Sequence, residues 1–388
     1  MNHELNQLPL QQSKEWQKLQ QDLGEKTIFH QTKKYQFLAI KKSTPLGSYL
    51  YLPYGPFINP SVSQADIKNC LNQLLKIATR ENAFFIRLEP QNLSSKNSNP
   101  ESQPLTISQK KSNVAQYFSL NPQKLRKTKD LNPAETWCLD LTQPESDILT
   151  HFSQGTRTRH NTYRKKGLTV EISRNPTSIK YLVDLQHKLA KEKHIASFSE
   201  DYLKTELSQP FASLFLVRFH HSSPTSQLSS PNTKTSTSSS IKVTDANYVS
   251  STTSAKNASV APPKNPKPTP KDGEIIAASL FFDFKDTRFY MQSAANLDFR
   301  HLPATVALLS HAIFDAKAKG LKILDFWGIA PEGADSSHPW YGFTEFKKSF
   351  GGYEKIYAGT YDYLLDKKRY HLYSLLRKLN RLKRRLFV

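Results

Sequence analysis

Apolar positions recur along the chain with two periods. At helical spacing, Trp16, Leu19 and Leu23 follow Ser13 as a cap, and Gly24 ends the run. From Asp66 the same spacing joins Ile67, Leu71, Leu74, Leu75 and Ala78. It returns over 178–193 with Ile179, Leu182, Leu185 and Leu189, and over 304–319 with Val306, Leu309, Ile313 and Ala316, closed by Gly320. Between these helices stand β-prone runs: Tyr35–Lys41, Ser48–Leu52, Phe84–Glu89, Thr136–Leu141, Leu168–Ile172, Leu214–Phe219, Glu274–Phe284, Arg288–Ser293 and Leu321–Ile329. Turns are expected around Ser43–Gly47 and at Lys285-Asp286-Thr287.

Strand, turn, strand, loop, helix, strand runs from Tyr35 to Glu89 and again from Glu274 to Ile329, which predicts two copies of one α/β unit. Residues 92–113 show no periodicity and read as a loop, and 125–133 as a polar connection. Residues 221–272 are nearly all Ser, Thr, Pro, Asn and Lys. Such a segment buries too little apolar surface to offset its ordering entropy, so it reads as a disordered insertion between two hairpin strands. In the tail, Leu372, Leu375, Leu376, Leu379, Leu382 and Leu386 share one helical face among Lys and Arg, with no acid after Asp366. That is a basic amphipathic helix, either of the kind that lies on membrane surfaces or partner grooves or docked on the body with a solvated basic face.

At 388 residues the chain has length for about two domains. Its 37% hydrophobic content is low, consistent with solvated segments. A net charge of +21 calls for a polyanionic partner: nucleic acid, an anionic membrane or a phosphorylated substrate. Cys70 and Cys138 are too few for a disulfide framework or metal cluster. The start of the sequence lacks the charge and apolar run of a signal peptide, and no stretch reaches the roughly 20 apolar residues of a spanning helix. These features predict a soluble cytoplasmic protein.

Phosphate-binding glycine loops of Walker or dinucleotide type, GxSxG, HExxH and paired CxxC are all missing from the sequence. The stretch 321–357 holds the most chemistry: an apolar strand, a polar loop, then Trp340, Tyr341, Phe343, Phe346 and Phe350 around Lys347 and Lys348. Aromatics around lysines can hold a phosphate or carbonyl oxygen beside a flat ligand. On composition alone, a core strand with a hydrophobic loop is the better account. Strand, loop and helix is also the core of acetyltransferases that use acyl-CoA. Their pyrophosphate loop contains glycine, whereas here 296–303 reads NLDFRHLP, which disfavours CoA.

The ordered set QQSKEWQKLQQDLG, LPYGP, FFIRLEP, TWCLDL, TRTRHNTYRKKGLTVEI and YMQSAAN…LPATVALLSHAIFDAKAKGLKILDFWGI…HPWYGFTEFKKSFGG resembles the FemABX family of peptidoglycan-bridge aminoacyltransferases. The resemblance covers nearly the whole chain except 92–124, 221–272 and the end of the tail. It implies an α/β (α+β) fold of two tandem GNAT, or acetyltransferase-like, domains followed by a basic C-terminal helix. The expected divisions are 1–144, 145–355 and 356–388, the last returning to the first domain. It further implies no cofactor, aminoacyl-tRNA as co-substrate, and lipid II or UDP-MurNAc-pentapeptide as acceptor, with peripheral contact at the inner membrane face.

By position, the resemblance implies that Lys18 contacts the precursor's phosphates and that Glu89 orients the acceptor amine or takes its proton. Tyr202 falls on the substrate side, and Tyr54, Arg87, Tyr290 and Gln292 join it as substrate-binding candidates. Phe346 and Lys347 match a pair associated with the tRNA end and with charge stabilisation, and Arg157, Arg159, Arg164 and Lys165 are further tRNA-binding candidates. From the residues alone, Lys18 would be a solvated lysine, Glu89 a surface partner of Arg87, and Tyr202 a packing residue. Two positions depart from the family's pattern: Phe198 stands where relatives have an arginine, and Gln292 where a relative has a tyrosine. Two other functions remain open at this point, a CoA-dependent N-acyltransferase and a non-enzymatic module that binds RNA or membrane. Glu89 and Lys347 are expected to face one cleft between the domains.

Overall fold

The computed structural model describes residues 8–59, 61–90, 107–193, 197–221 and 267–386. The insertion expected over 221–272 lies outside them except at its two ends, as does most of the loop expected over 92–113.

Helix α1 (Lys14–Asp22) starts where expected, the Ser13 hydroxyl accepting the Trp16 amide. The first sheet comprises β1 (Lys26–Gln31), β2 (Tyr35–Thr44), β3 (Gly47–Leu52), β4 (Phe57–Ile58), β5 (Ala83–Leu88), β6 (Leu125–Lys127) and β14 (Tyr361–Leu364). Its order is β1-β2-β3-β5-β14-β6, with β4 paired to β2. Strands β3 and β5 are parallel, joined over α2 (Gln64–Arg80), whose start is fixed by reciprocal bonds between Ser63 and Asp66. Helix α3 (Ile107–Tyr117) closes the same core. The loop expected over 92–113 is thus helical from 107, and the polar connection at 125–133 begins with a strand paired to β14.

The second sheet repeats the plan. It contains β7 (Glu135–Asp140), β8 (Leu168–Ser173), β9 (Ala212–Phe219), β10 (Ile275–Phe284), β11 (Thr287–Ala295), β12 (Ile323–Gly328) and β13 (Tyr353–Ile356), in the order β13-β7-β12-β11-β10-β9-β8. Here β10 and β11 form the hairpin, α8 (Ala304–Ala318) crosses over, and β12 returns parallel to β11. In both sheets a strand from elsewhere in the chain, β14 or β7, then pairs antiparallel beyond the crossover strand. This is the two-unit α/β architecture expected, in tandem acetyltransferase-like form.

Helices α4 (Glu145–His151), α5 (Gln154–Thr162) and α8 cover one face of the second sheet, and α1, α6 (Ile179–Lys193) and α7 (Glu200–Leu207) cover the other. A cut at 144 does not follow this packing. Leu10 and Leu19 lie in the second sheet's core, β7 pairs within that sheet, and β14 returns to the first. Helix α9 (Tyr341–Lys348) follows β12, and α10 (Lys367–Leu386) ends the described chain.

Candidate active site

Strand β12 ends in a forced turn. Between its pairs with β7, the step from Cys138 to Thr136 is opposed by the longer step from Asp325 to Gly328, so β12 carries an extra residue. Trp327 takes up the excess with φ 67°, a region a bulky side chain enters only under constraint. Asp325 supplies the constraint. Its carboxylate accepts the Trp327 amide at 2.7 Å and the Thr136 hydroxyl at 3.3 Å. Burial pushes the Asp325 carboxyl above its usual range. The turned indole meets Tyr54 edge-on at 5.8 Å and Phe289 at 6.2 Å.

Helix α9 lies across this strand end, tethered by the Ala330 amide donating to the Thr344 hydroxyl at 2.8 Å. From its last turn Lys347 reaches back, 7% exposed, and donates to the Gly328 carbonyl at 2.5 Å. The Phe343 ring lies 4.9 Å from its ammonium. Gly328 has no room for a side chain, because a Cβ would stand 2.7 Å from the Pro133 ring. Burial lowers the Lys347 pKa to about 8, with Asp325 acting in the opposite direction. At neutral pH the side chain is therefore mostly charged, with one of its three N–H donors committed to Gly328. Trp340, Tyr341 and Phe343 form an exposed aromatic shelf beside it. Phe346 packs edge-on against Phe350 at 5.4 Å, and Phe343 is the ring at the lysine.

Tyr54, also at positive φ, donates to the Pro133 carbonyl at 2.8 Å and lies 4.5 Å from the Tyr357 ring. With Gln11, Asp325, Lys355 and Trp327 it lines a cavity of about 30 Å³ between the two sheets, room for a water or two.

Three expected site residues are placed otherwise. Glu89 is 2% exposed, and its carboxylate accepts from the Tyr51 hydroxyl at 2.9 Å, the Asn132 amide and side chain at 3.1 and 2.7 Å, and the Thr360 hydroxyl at 2.7 Å. With those donors in place it ties β5 to the segments at 132 and 360, and no oxygen is free to take a proton from an amine. Glu89 and Lys347 share no direct contact. They are linked in series, through the Tyr54 amide to Glu89, the Tyr54 ring to Trp327, and the Gly328 carbonyl to Lys347. Arg87 does not pair with Glu89 and is no substrate ligand. It is 2% exposed, bound through two nitrogens to Asp362 at 2.7 and 2.8 Å, with Tyr49 and Phe85 against its plane. Tyr290 packs in the core on the α8 side, 5.4 Å from Phe281, and so cannot reach a substrate on the other face.

Its neighbour does reach that face. Between β10 and β11, Ser279 pairs with Ser293 and Phe281 with Tyr290, which leaves an extra residue on β11 and re-aims Gln292. The Gln292 amide approaches Glu206 of α7 at 3.4 Å. Glu206 is 1% exposed, one of its oxygens has no hydrogen-bond partner, and burial raises its pKa to about 8. The Tyr202 hydroxyl faces Glu206 and favours its charged form, against the larger effect of burial. Tyr202 stacks on Phe198 at 5.0 Å. Lys18 belongs to the same side. It pairs with Asp22 at 3.0 Å, and Asp22 in turn accepts from Gln209, just past α7. Lys18 is thus linked through Asp22 to the end of α7, and Gln292 meets α7 at Glu206. Glu206 has no sequence signal beyond its position one turn after Tyr202.

The basic run occupies α5 and the turn after it. Arg159, Arg164 and Lys165 are exposed, Arg164 lies over Tyr163, and Arg157 reaches the Thr150 carbonyl. The start of α5 is fastened to the end of α9: the Ser153 amide donates to the Ser349 carbonyl and the Thr156 hydroxyl to the Ser349 hydroxyl, both at 2.8 Å. This puts the cationic surface next to the helix that carries Lys347.

Two sheets of one topology, with a lysine buried across the splayed end of the second crossover strand, form a tandem acetyltransferase-like scaffold. Sequence sharpens the class: the chain belongs to the FemAB family, whose profile matches residues 2–378. Membership makes it an acyltransferase of the peptidoglycan-bridge class, with a lipid II-type precursor as the substrate the family implies. Among solved structures the fold is similar to that of FemX, at 14% identity and TM-score 0.68 over 94% of each chain. It is also similar to the C-terminal domain of a putative lysylphosphatidylglycerol synthetase from Agrobacterium fabrum, at 11% identity and TM-score 0.51 over 93% of this chain and 90% of that one. L-PGS from Bacillus licheniformis matches at 11% and 0.51, over 90% and 92%. No curated protein matches the chain in sequence.

Proposed function

We propose that the protein moves an amino acid of the glycine, alanine or serine class from aminoacyl-tRNA to the side-chain amine at the third position of a peptidoglycan stem peptide, carried on lipid II or UDP-MurNAc-pentapeptide. The amine attacks the ester carbonyl and a C–N bond forms. The ester C–O bond then breaks, and the terminal ribose hydroxyl leaves with the proton the amine gives up. Lys347 stabilises the oxyanion between these steps. A charged donor held in a dry site needs no reorganisation as that charge develops.

The observation that carries this reading is the buried ammonium of Lys347 at the end of β12. Supporting it, the cationic α5 adjoins α9 and suits a polyanionic donor. The shelf of Trp340 and Phe343 suits stacking of a terminal base. Lys18, Tyr202 and Gln292 form the acceptor side. Acyl-CoA is the weaker donor, because the turn before α8 uses its own amides: Asp298 donates to the Asn296 side chain, Phe299 to Asn296, Arg300 to Leu297 and Leu302 to Phe299. In this reading the protein works in the cytoplasm without a further cofactor. The test is incubation with a panel of charged tRNAs and UDP-MurNAc-pentapeptide, followed by the mass of the acceptor. A gain of one aminoacyl residue is expected, whereas acetylation from acetyl-CoA would reverse the assignment.

A further inference from the structure

Helix α10 is fastened to the body by one face only. Arg369 lies over Phe84, Tyr370 and Tyr373 pack on Phe85, and Arg377 lies over Tyr373. The Tyr370 hydroxyl also donates to Asp362 at 2.8 Å. At about 100° per residue these positions form one stripe, and Leu372, Leu375, Leu376 and Leu379 form another, centred about 120° around the helix. The leucines are 46%, 53%, 37% and 46% exposed and belong to none of the described cores. By sequence the stripe continues through Leu382 and Leu386. The helix carries nine Lys or Arg and no acidic residue.

We propose that α10 lies flat on an anionic lipid bilayer, with the leucine stripe inserted among the acyl chains and the flanking cations on the headgroups. An aliphatic stripe gains from a hydrocarbon boundary and gains nothing from an RNA backbone, while the cations select a negative surface. No described helix is long and apolar enough to cross a membrane, so the association is with the surface. Because the body-facing stripe holds α10 against β5, the bilayer would carry the first domain at a fixed orientation. The proposal is independent of the transfer reaction, since lipid binding requires neither tRNA nor acceptor.

The test is flotation of the full chain with phosphatidylcholine–phosphatidylglycerol vesicles and with phosphatidylcholine vesicles alone. Binding to the anionic vesicles is expected, weakened by salt. It should fall at least roughly tenfold in Leu375→Ser/Leu379→Ser, which removes apolar surface and leaves every charge in place. Circular dichroism checks that this variant is folded. As a second readout, Leu376→Trp should shift its fluorescence to the blue on anionic vesicles. The proposal is overturned if the wild type does not float, if the serine variant floats equally well, or if the Leu376→Trp emission stays unshifted. It is likewise overturned if the serine changes abolish RNA binding or a dimer while vesicle binding stays intact.

Discussion

Lys347 and Asp325 are buried groups of opposite sign at the end of the same strand, and they do not form an ion pair. Lys347 donates a hydrogen bond to the Gly328 carbonyl, while the Asp325 oxygens accept from the Trp327 amide and the Thr136 hydroxyl. Asp325 thus acts on Lys347 through its field rather than through contact, favouring the charged lysine against the burial that opposes it. An ammonium held near the reaction but not neutralised by a carboxylate keeps its charge for an incoming oxyanion.

The first prediction concerns pH. With the Lys347 pKa lowered to about 8, the protonated fraction falls as pH rises through that value, and turnover should fall with it. Lys347→Arg, which stays charged, should move this decline to higher pH. Asp325→Asn removes the field that supports the charge and should move it lower. Lys347→Ala should lower kcat by about 10²–10³ with the fold retained. The pH profiles of kcat for the four proteins decide the matter, and a Lys347→Ala profile equal to the wild type would refute the role.

Arg87 and Asp362 should matter for stability rather than turnover. Asp362→Ala leaves a guanidinium without its partner in the sheet interior and should cost about 3–5 kcal/mol by denaturant unfolding. Per folded molecule, activity should stay close to that of the wild type. A selective loss of acceptor affinity in the folded variant would instead return Arg87 to the substrate site.

Glu206 gives a second pH signature. Its folded pKa of about 8 lies above the unfolded carboxylate value, so the native state holds a proton that the unfolded chain has lost. The stabilising contribution is complete below the unfolded pKa of about 4.3 and is lost progressively as pH rises towards 8. Glu206→Gln lacks that loss. The two proteins should unfold alike near pH 4 and diverge in favour of glutamine up to pH 8. Parallel thermal unfolding curves across that range would show that Glu206 is ionised throughout.

Reversing charge at Arg157, Arg159 and Arg164 should raise the KM for charged tRNA and flatten its salt dependence, leaving kcat and the KM for the acceptor in place. A change in the acceptor KM instead would move the basic surface to the other substrate.

The hairpin-crossover units were legible because period and capping act locally: Ser13 and Gly320 both stand where the helix signals put them. The edge strands β6 and β13 were not, since short segments such as Leu125–Lys127 are ordered by pairing with β14 or β7. Lys347 and its surrounding aromatics could be read from the motif, but which ring covers it could not, because Phe343 and Phe346 differ only by helical phase. Arg87 and Glu89 were misread for a similar reason. Their partners Asp362, Asn132 and Thr360 come from distant segments that no local pattern brings to β5. Gln292 and Glu206 meet through a bulge, which carries no sequence signature here.

The central claim is tested most directly by transfer of a radiolabelled amino acid from charged tRNA to UDP-MurNAc-pentapeptide, with and without prior ribonuclease treatment. Label should appear on the stem-peptide amine, be lost after ribonuclease, and be reduced about 10²–10³-fold in Lys347→Ala. Transfer that survives ribonuclease, or no transfer from any charged tRNA, would contradict it.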